Sequence, residues 1–320
     1  MADPVHILLV RLGAFGDVIH ALPAAATLRR AIPAARLTWA IDPRWAWLLE
    51  GNPDVHHVLP VNRRQASSLQ SAWRFFRANP VDIGVDVQGL LKSALLLRAS
   101  RAPRRIGFAA PCLRERAAGL FYTETVTPAQ PHVVDWNLAL ARAAGAASPI
   151  FDAPLPPGRP EGELPQSPFV LASPFAGWGA KQWPFEYYQE LSTLLRGAGH
   201  TLVLNVASRV ESSLPQHVSG LAGLIDATRR AAAVVGLDSG PLHLAAALNK
   251  PGVALFGPTD PARNGPYGGA IQTLRAPGAP TTYRRMNHIL PCMRALTPRM
   301  VFETLLPCLT TASLNPTPTR

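Results

Sequence analysis

Four short stretches of this 320-residue sequence place charged or hydroxyl side chains beside glycine and proline, where an apolar run gives way to a helical pattern. The first is Arg11-Leu12-Gly13-Ala14-Phe15-Gly16-Asp17. Gly13 and Gly16 permit a tight turn and close backbone approach to a ligand. Asp17 then stands at the start of a helix. A carboxylate there can take a proton, but aspartate also caps helices well, and on this fragment alone a cap is the simpler account. The spacing is not the G-x-G-x-x-G of dinucleotide binding, which puts a nicotinamide oxidoreductase far behind other readings.

The second stretch, Gly236-Leu237-Asp238-Ser239-Gly240-Pro241-Leu242-His243, brings an acid, a hydroxyl and a histidine to the mouth of a helix. Pro241 suits a first helical turn. The helix dipole and the N–H groups of that turn favour a phosphate, to which Ser239 adds a donor. His243, one turn in, can orient Asp238 or touch the ligand; a capped helix with a buried histidine is the plainer alternative. The third stretch, Gly179-Ala180-Lys181-Gln182-Trp183-Pro184, offers Lys181 as a point charge for a diphosphate. Lys92, Lys181 and Lys250 are the only lysines, so a merely solvated Lys181 is the less economical reading. The fourth, Gly257-Pro258-Thr259-Asp260-Pro261, reads as a turn that can wall a pocket.

The elements that must position these residues alternate. Buried-strand runs at His6 to Val10, Leu37 to Ile41, Val55 to Val61 and Val81 to Val87 are interleaved with helical patterns at Val18 to Ala31 and Leu90 to Leu97. After a proline-rich stretch from Asp152 to Pro168 the alternation restarts, with strands at Phe169 to Ala172, Thr201 to Val206, Ala233 to Leu237 and Val253 to Phe256. Helices are expected at Phe185 to Gly197, Pro241 to Leu248 and Pro298 to Leu309, the last able to pack back across the hinge. The pattern predicts α/β domains with parallel sheets, over residues 1–155 and 156–320. Ligands are expected at the carboxyl ends of the strands, in a cleft between the domains.

Composition narrows the partners. Thirty-one Lys and Arg against 20 Asp and Glu give a net charge of +11, a field that attracts anions. Nucleic acid would require basic stripes with interleaved aromatics or a reading module, and neither is present. Cys112, Cys292 and Cys308 have no metal-ligand spacing and no paired framework, which fits a reducing compartment. The apolar run Val5 to Val10 is too short for a signal-peptide core or a membrane span. The expectation is a cytoplasmic protein, at most peripheral on a membrane.

Taken in order, the stretches Gly16 to Ala24, Lys181-Gln182-Trp183-Pro184, Asp238 to Leu244 and Gly257 to Asp260 resemble the ADP-heptose:lipopolysaccharide heptosyltransferases, glycosyltransferase family 9. Asp86 to Ala94 and Arg105 to Tyr122 look like the type I members, which add the first heptose to Kdo on lipid A. The resemblance implies a GT-B fold, two Rossmann-like domains facing each other across a cleft, with acceptor bound by the N-terminal domain and nucleotide sugar by the C-terminal one. It implies Asp17 as catalytic base and inverting displacement of ADP. Lys181, Asp238, Ser239, Gly240 and His243 would bind the ADP-heptose donor. Arg63, Arg64, Lys92 and Arg114 would meet the acidic groups of a Kdo-lipid A acceptor at the cytoplasmic surface of the inner membrane. No cofactor is implied, and no D-x-D-like pair suggests a catalytic metal.

The chain departs from the family pattern after the strand Thr201 to Val206. A Gly and a donor-binding Glu are usual there, whereas this sequence runs Ala207-Ser208-Arg209-Val210-Glu211, so Glu211 inherits the role by proximity. The segment from Ser212 to Arg230 also looks shortened. Two other readings therefore stay open: a family 9 enzyme with a different nucleotide sugar or acceptor, such as a type II enzyme, and a non-catalytic nucleotide-sugar-binding protein.

Overall fold

The computed structural model describes the backbone of residues 4–314 and the side chains of residues 4–309. The chain divides into two compact units at Pro156–Pro157. The first begins β1 (His6–Val10), α1 (Phe15–Ala31), β2 (Arg36–Ile41), the single turn α2 (Pro43–Ala46), β3 (His57–Pro60) and α3 (Ala66–Ala78). It continues β4 (Ile83–Asp86), α4 (Leu91–Ala99), β5 (Arg104–Phe108), a 3-10 segment Arg116–Phe121, β6 (Glu124–Val126) and α5 (Val133–Ala143). The described strands form a six-stranded parallel sheet in the order β3-β2-β1-β4-β5-β6. β1 is buried along its whole length, as a central strand covered on both faces must be.

Strand order fixes which helices share a face. The step from β1 to β2 runs opposite in direction to the steps β3 to β4, β4 to β5 and β5 to β6. Right-handed crossovers then put α1 on one face and α3, α4 and the 3-10 segment on the other. α5 packs against α1, on the first face.

The second unit repeats the plan. β7 (Phe169–Ser173), α6 (Phe185–Gly197), β8 (Thr201–Val206), β9 (Gln216–Val218) and α7 (Leu221–Arg230) form its first half. β10 (Ala233–Leu237), α8 (Gly240–Ala247), β11 (Gly252–Phe256), α9 (Pro261–Asn264), β12 (Ile271–Arg275), α10 (Pro291–Arg294) and α11 (Pro298–Leu314) form its second. The described strands again make a six-stranded parallel sheet, ordered β12-β11-β10-β7-β8-β9. Trp183, Tyr188, Leu191 and Leu195 fill the core against Val170, Leu204 and Val235. The indole N–H of Trp183 donates to the Leu296 carbonyl at 2.7 Å. α11 packs on α6, β10 and β11 of this same unit.

The proline-rich stretch forms neither helix nor strand, yet both of its ends are fastened. On the first unit, Thr27 bonds Ile150, Arg30 pairs with Asp152, and the Asn52 amide donates to the Pro154 carbonyl. On the second, Arg159 N–H donates to Ala222 and the Glu161 carboxylate accepts the Gly220 N–H at 2.8 Å. Among the described residues no helix is long and apolar enough to cross a membrane.

A buried acid braces the middle of the first sheet. Asp86, 0% exposed at the end of β4, accepts the N–H groups of Gln88 and Gly89 at 2.8 and 3.1 Å. The Tyr122 hydroxyl donates to its other oxygen at 2.8 Å. Burial pushes the Asp86 carboxyl above its ordinary pKa, against the pull of these donors. Gly107 makes this possible, since a Cβ there would overlap the Tyr122 ring. Tyr122→Phe should lower the stability of the first unit by about 1–3 kcal/mol, because it strips a donor from a buried acceptor. Urea unfolding measures this; an unchanged midpoint would mean the hydroxyl does not hold Asp86.

Candidate active site

In the first unit the chain leaves β1 through a loop bound on three sides. Arg11 N–H donates to Ala40, the Trp39 indole donates to the Arg11 carbonyl at 3.2 Å, and Leu12 N–H donates to the Gln88 side chain at 2.8 Å. Gly13 adopts φ +152°, and a Cβ there would stand 2.8 Å from the Trp45 indole nitrogen. α1 starts at Phe15 with Ala14 as its N-cap, so Asp17 lies within the first turn and is not itself the cap. Its Oδ2 accepts the Ala14 N–H at 3.1 Å, an interaction that alanine cannot reciprocate.

The same Oδ2 is 2.6 Å from Arg11 Nη2, and Arg11 Nη1 donates to the Val87 carbonyl at 2.6 Å. One guanidinium thus ties the Asp17 carboxylate to the loop after β4. Asp17 nonetheless remains 45% exposed, enough for a reactant to reach it. Arg11 stood in the sequence motif without a role; its bridge spans β1 and β4, which no local spacing reveals.

Arg63 and Arg64, both exposed, follow β3 and line a hollow of about 260 Å³ with Asp42, Pro43, Arg44 and Asn62. Asp42 and Arg44, both lining this hollow, pair with each other at 2.9 Å. Lys92 is half-buried in the first turn of α4, and its pKa is lowered by burial first and then by the charges of Arg63 and Arg11. Glu115 and Asp42 oppose the shift. Arg63 and Lys92 therefore act on one electrostatic neighbourhood, which also contains Arg11. Arg114 is exposed beside Glu115, whose carboxylate accepts the Leu91 N–H at 2.7 Å and so fixes that loop to the start of α4.

In the second unit the fold brings together residues distant in sequence. β7 and β10 are adjacent, so the turn after β7 that carries Lys181 meets the end of β10. Lys181 Nζ donates to Asp238 Oδ2 at 2.5 Å and to the Asp238 carbonyl at 3.3 Å. It also lies 4.3 Å from the centre of the Trp178 ring. His243 Nε2 approaches the other Asp238 oxygen at 3.7 Å. All three side chains are largely hidden, at 12% exposure for Lys181, 4% for Asp238 and 7% for His243.

Burial alone would raise the Asp238 carboxyl, but His243 and the Lys181 charge outweigh it and hold the group well below the usual carboxylate range. Ser239 is the N-cap of α8, yet its Oγ makes no capping bond and is buried without a protein partner. Thr259 Oγ1, after the neighbouring strand β11, is in the same condition. Two buried hydroxyls at adjacent strand ends beside a helix N-terminus suit the oxygens of an anionic group. Thr259 was concealed in a stretch that read as turn chemistry, and Asp260 beside it does cap α9 through Ala262 N–H at 2.9 Å.

Lys181, Asp238, Ser239, Gly240 and His243 thus gather at one place, whereas Glu211 stands exposed in the loop after β8. The segment that looked shortened holds the short strand β9 and the helix α7. Among the described residues no group of three or more His, Cys, Asp or Glu could hold a metal ion.

Because Asp238 titrates lower in the fold than in the open chain, its pairing stabilises the second unit fully above about pH 4 and is lost progressively as pH falls below that. Asp238→Asn should therefore lower the unfolding midpoint at neutral pH and flatten its decline on the acid side. A variant whose acid limb retains the parental shape would overturn this assignment.

Comparison with known proteins places the chain. The model of glycosyltransferase family 9 (heptosyltransferase) matches residues 69–293. Lipopolysaccharide heptosyltransferase 1 of Pseudomonas aeruginosa is 31% identical over 296 residues, covering 82% of each chain. The Escherichia coli heptosyltransferase WaaC solved with ADP superimposes with a TM-score of 0.74 at 26% identity, over 95% of this chain and 100% of that one. The E. coli ADP-heptose lps heptosyltransferase II, at 23% identity and a TM-score of 0.76 over 97% of this chain and 100% of that one, shares the fold. The chain belongs to glycosyltransferase family 9, the heptosyltransferases, and is a glycosyltransferase with the GT-B fold of two Rossmann-like domains.

Proposed function

We propose that this enzyme transfers a heptose from ADP-heptose to Kdo of the lipopolysaccharide inner core, with inversion, at the cytoplasmic face of the inner membrane. The observation that carries the reading is the buried Lys181–Asp238–His243 cluster beside two unpartnered hydroxyls, in a chain similar along most of its length to a lipopolysaccharide heptosyltransferase 1. The solved relative WaaC was obtained with ADP, which supports a nucleotide-diphosphate donor for this cluster.

The chemistry assigns each residue a task. Asp17 accepts the proton of the acceptor hydroxyl, whose oxygen attacks the anomeric carbon of the donor. The bond from that carbon to the diphosphate breaks, and ADP departs with the electron pair, inverting the centre. Arg11 and the Ala14 N–H both hold Asp17 through Oδ2, so Oδ1 is the oxygen that takes the proton. Arg11 is a positioning residue that keeps the carboxylate turned. Lys181, the N-terminus of α8, Ser239 and Gly240 meet the diphosphate and stabilise charge as it grows on the leaving group. Asp238 and His243 hold Lys181 in place for that task. Arg63, Arg64, Lys92 and Arg114 meet the carboxylates and phosphates of the acceptor. Glu211 binds the donor only if its loop closes over the nucleotide. The first 155 or so residues then serve the acceptor and the remainder the donor, with no cofactor and no metal in the mechanism.

Incubation with ADP-heptose and Kdo-lipid A, read by mass spectrometry, tests the reading: one added heptose is expected. Transfer of another sugar, or to another acceptor only, would replace it with a different family 9 activity; ADP binding without any transfer would leave a binding protein. Asp17→Asn should abolish transfer while leaving donor affinity, measured by calorimetry, close to the parental value. Undiminished turnover in that variant would remove Asp17 as the base.

A further inference from the structure

Of the described side chains in the first unit, six large apolar ones are exposed: Leu69, Trp73, Leu91, Leu95, Leu120 and Phe151. The first five lie on α3, on α4 and in the 3-10 segment, which share one face of the sheet; Phe151 belongs to the interdomain stretch. Trp73 and Leu69 sit one turn apart, each 44% exposed, and Leu120 reaches 85%. A soluble surface scatters such residues singly, so their concentration on one face calls for a partner.

The charge of that face identifies the partner's chemistry. Arg74, Arg77, Arg98 and Arg116 are exposed on the same elements. From Arg63 to Val81, and again from Val87 to Ser100, the sequence contains neither Asp nor Glu. Asp82, just before β4, accepts the His6 N–H, and Glu115 is bound to Leu91 N–H. Arg77 lies 4.7 Å from the centre of the Trp73 ring, so an aromatic and a guanidinium present themselves together. Amphipathic side chains of this kind settle with the ring at the apolar boundary and the cation among anionic headgroups. A protein partner of ordinary composition would leave so many unopposed arginines desolvated, whereas a phosphate-rich lipid surface neutralises all of them at once.

We propose that the face formed by α3, α4 and the Arg116–Phe121 segment is the surface by which this chain lies on an anionic lipid bilayer. The proposal deepens the functional reading above and rests on it for the location of the acceptor. Leu69, Trp73 and Leu120 enter the headgroup boundary, and Arg74, Arg77 and Arg98 bind lipid phosphates.

The test is flotation of the full chain with vesicles of phosphatidylcholine, pure or containing roughly one third phosphatidylglycerol, at low and high salt. The chain should bind the anionic vesicles, release in high salt and ignore the neutral ones. Arg74→Gln and Arg77→Gln should each weaken binding roughly fivefold, the usual weight of one basic residue at such a surface. A combined Leu69→Ser, Trp73→Ser variant should lose most of the remainder. These positions are exposed, and circular dichroism verifies the fold. Heptose transfer to a water-soluble Kdo acceptor should stay parental in all variants, which separates docking from chemistry. Binding indifferent to lipid charge, or unaltered in the variants, would overturn the proposal. So would a concentration-dependent dimer that the Trp73 variant abolishes, since the face would then belong to a second copy. Face-dependent vesicle binding without any sugar transfer would instead uphold docking and sink the functional reading.

Discussion

A carboxylate removed from water must be neutralised where it stands, and Asp238 imposes that demand on the whole second unit. At 4% exposure it cannot rely on solvent, so Lys181 must reach it from the turn after β7 and His243 from the first turn of α8. Meeting both conditions requires β7 and β10 to be neighbours and α8 to start directly after Ser239. The parallel sheet supplies that adjacency. In return the pairing sets the lysine nitrogen against the Asp238 carbonyl, directly before the helix N-terminus capped by Ser239, whose hydroxyl lacks a protein partner. A cation already anchored by an acid costs little further entropy when an anion arrives, which is the advantage of preorganised charge over a flexible surface lysine.

The first unit meets a related demand with different chemistry. Asp86 is fully buried, and it is held by backbone N–H groups and the hydroxyls of Tyr122 and Ser93, with no cation among these partners. Holding Gln88 and Gly89 in that way aims the Gln88 side chain at Leu12 N–H and leaves the Val87 carbonyl to Arg11. The chain of contacts runs from Tyr122 through Asp86 to the loop that orients Asp17. It gives the Asp86 to Ala94 and Arg105 to Tyr122 motifs a structural reason for occurring together: Gly107 clears the space that the Tyr122 ring occupies. Part of what resembles the type I members is thus a brace behind the loop that carries Asp17.

The elements that could be read from sequence were those whose burial is uniform. β1, β2, β7, β10 and β11 are continuous apolar runs because both faces of a parallel sheet are covered, and their limits were found to within a residue or two. β9 and β12 sit at one end and the other of the second sheet and carry polar residues, so no run marks them. α3 was passed over although Leu69, Ala72, Trp73 and Phe76 recur at i, i+3, i+4 and i+7, a helical stripe that was legible in the sequence. Asp17 was placed at the edge of its helix, while α1 begins two residues earlier; Ala14 does not look like a cap, and the cap position gives no side-chain signal. The gathering of Lys181 and Asp238, 57 residues apart, follows from strand order and not from any local pattern.

The proposed docking face and the proposed acceptor site meet on α4. Its first residue, Leu91, is exposed, and its second, Lys92, is half-buried in the field of Arg63 and Arg11. Consecutive residues on a helix point about 100° apart, so one turn can serve a lipid surface and a sugar-binding pocket at once. An acceptor sugar anchored by acyl chains extends only a short way from its bilayer. An enzyme acting on it gains by setting its basic acceptor residues at the rim of the surface that touches the lipid, so that docking and acceptor capture become one event. On the proposed reading, the neighbouring Leu91 and Lys92 answer both demands from a single helix.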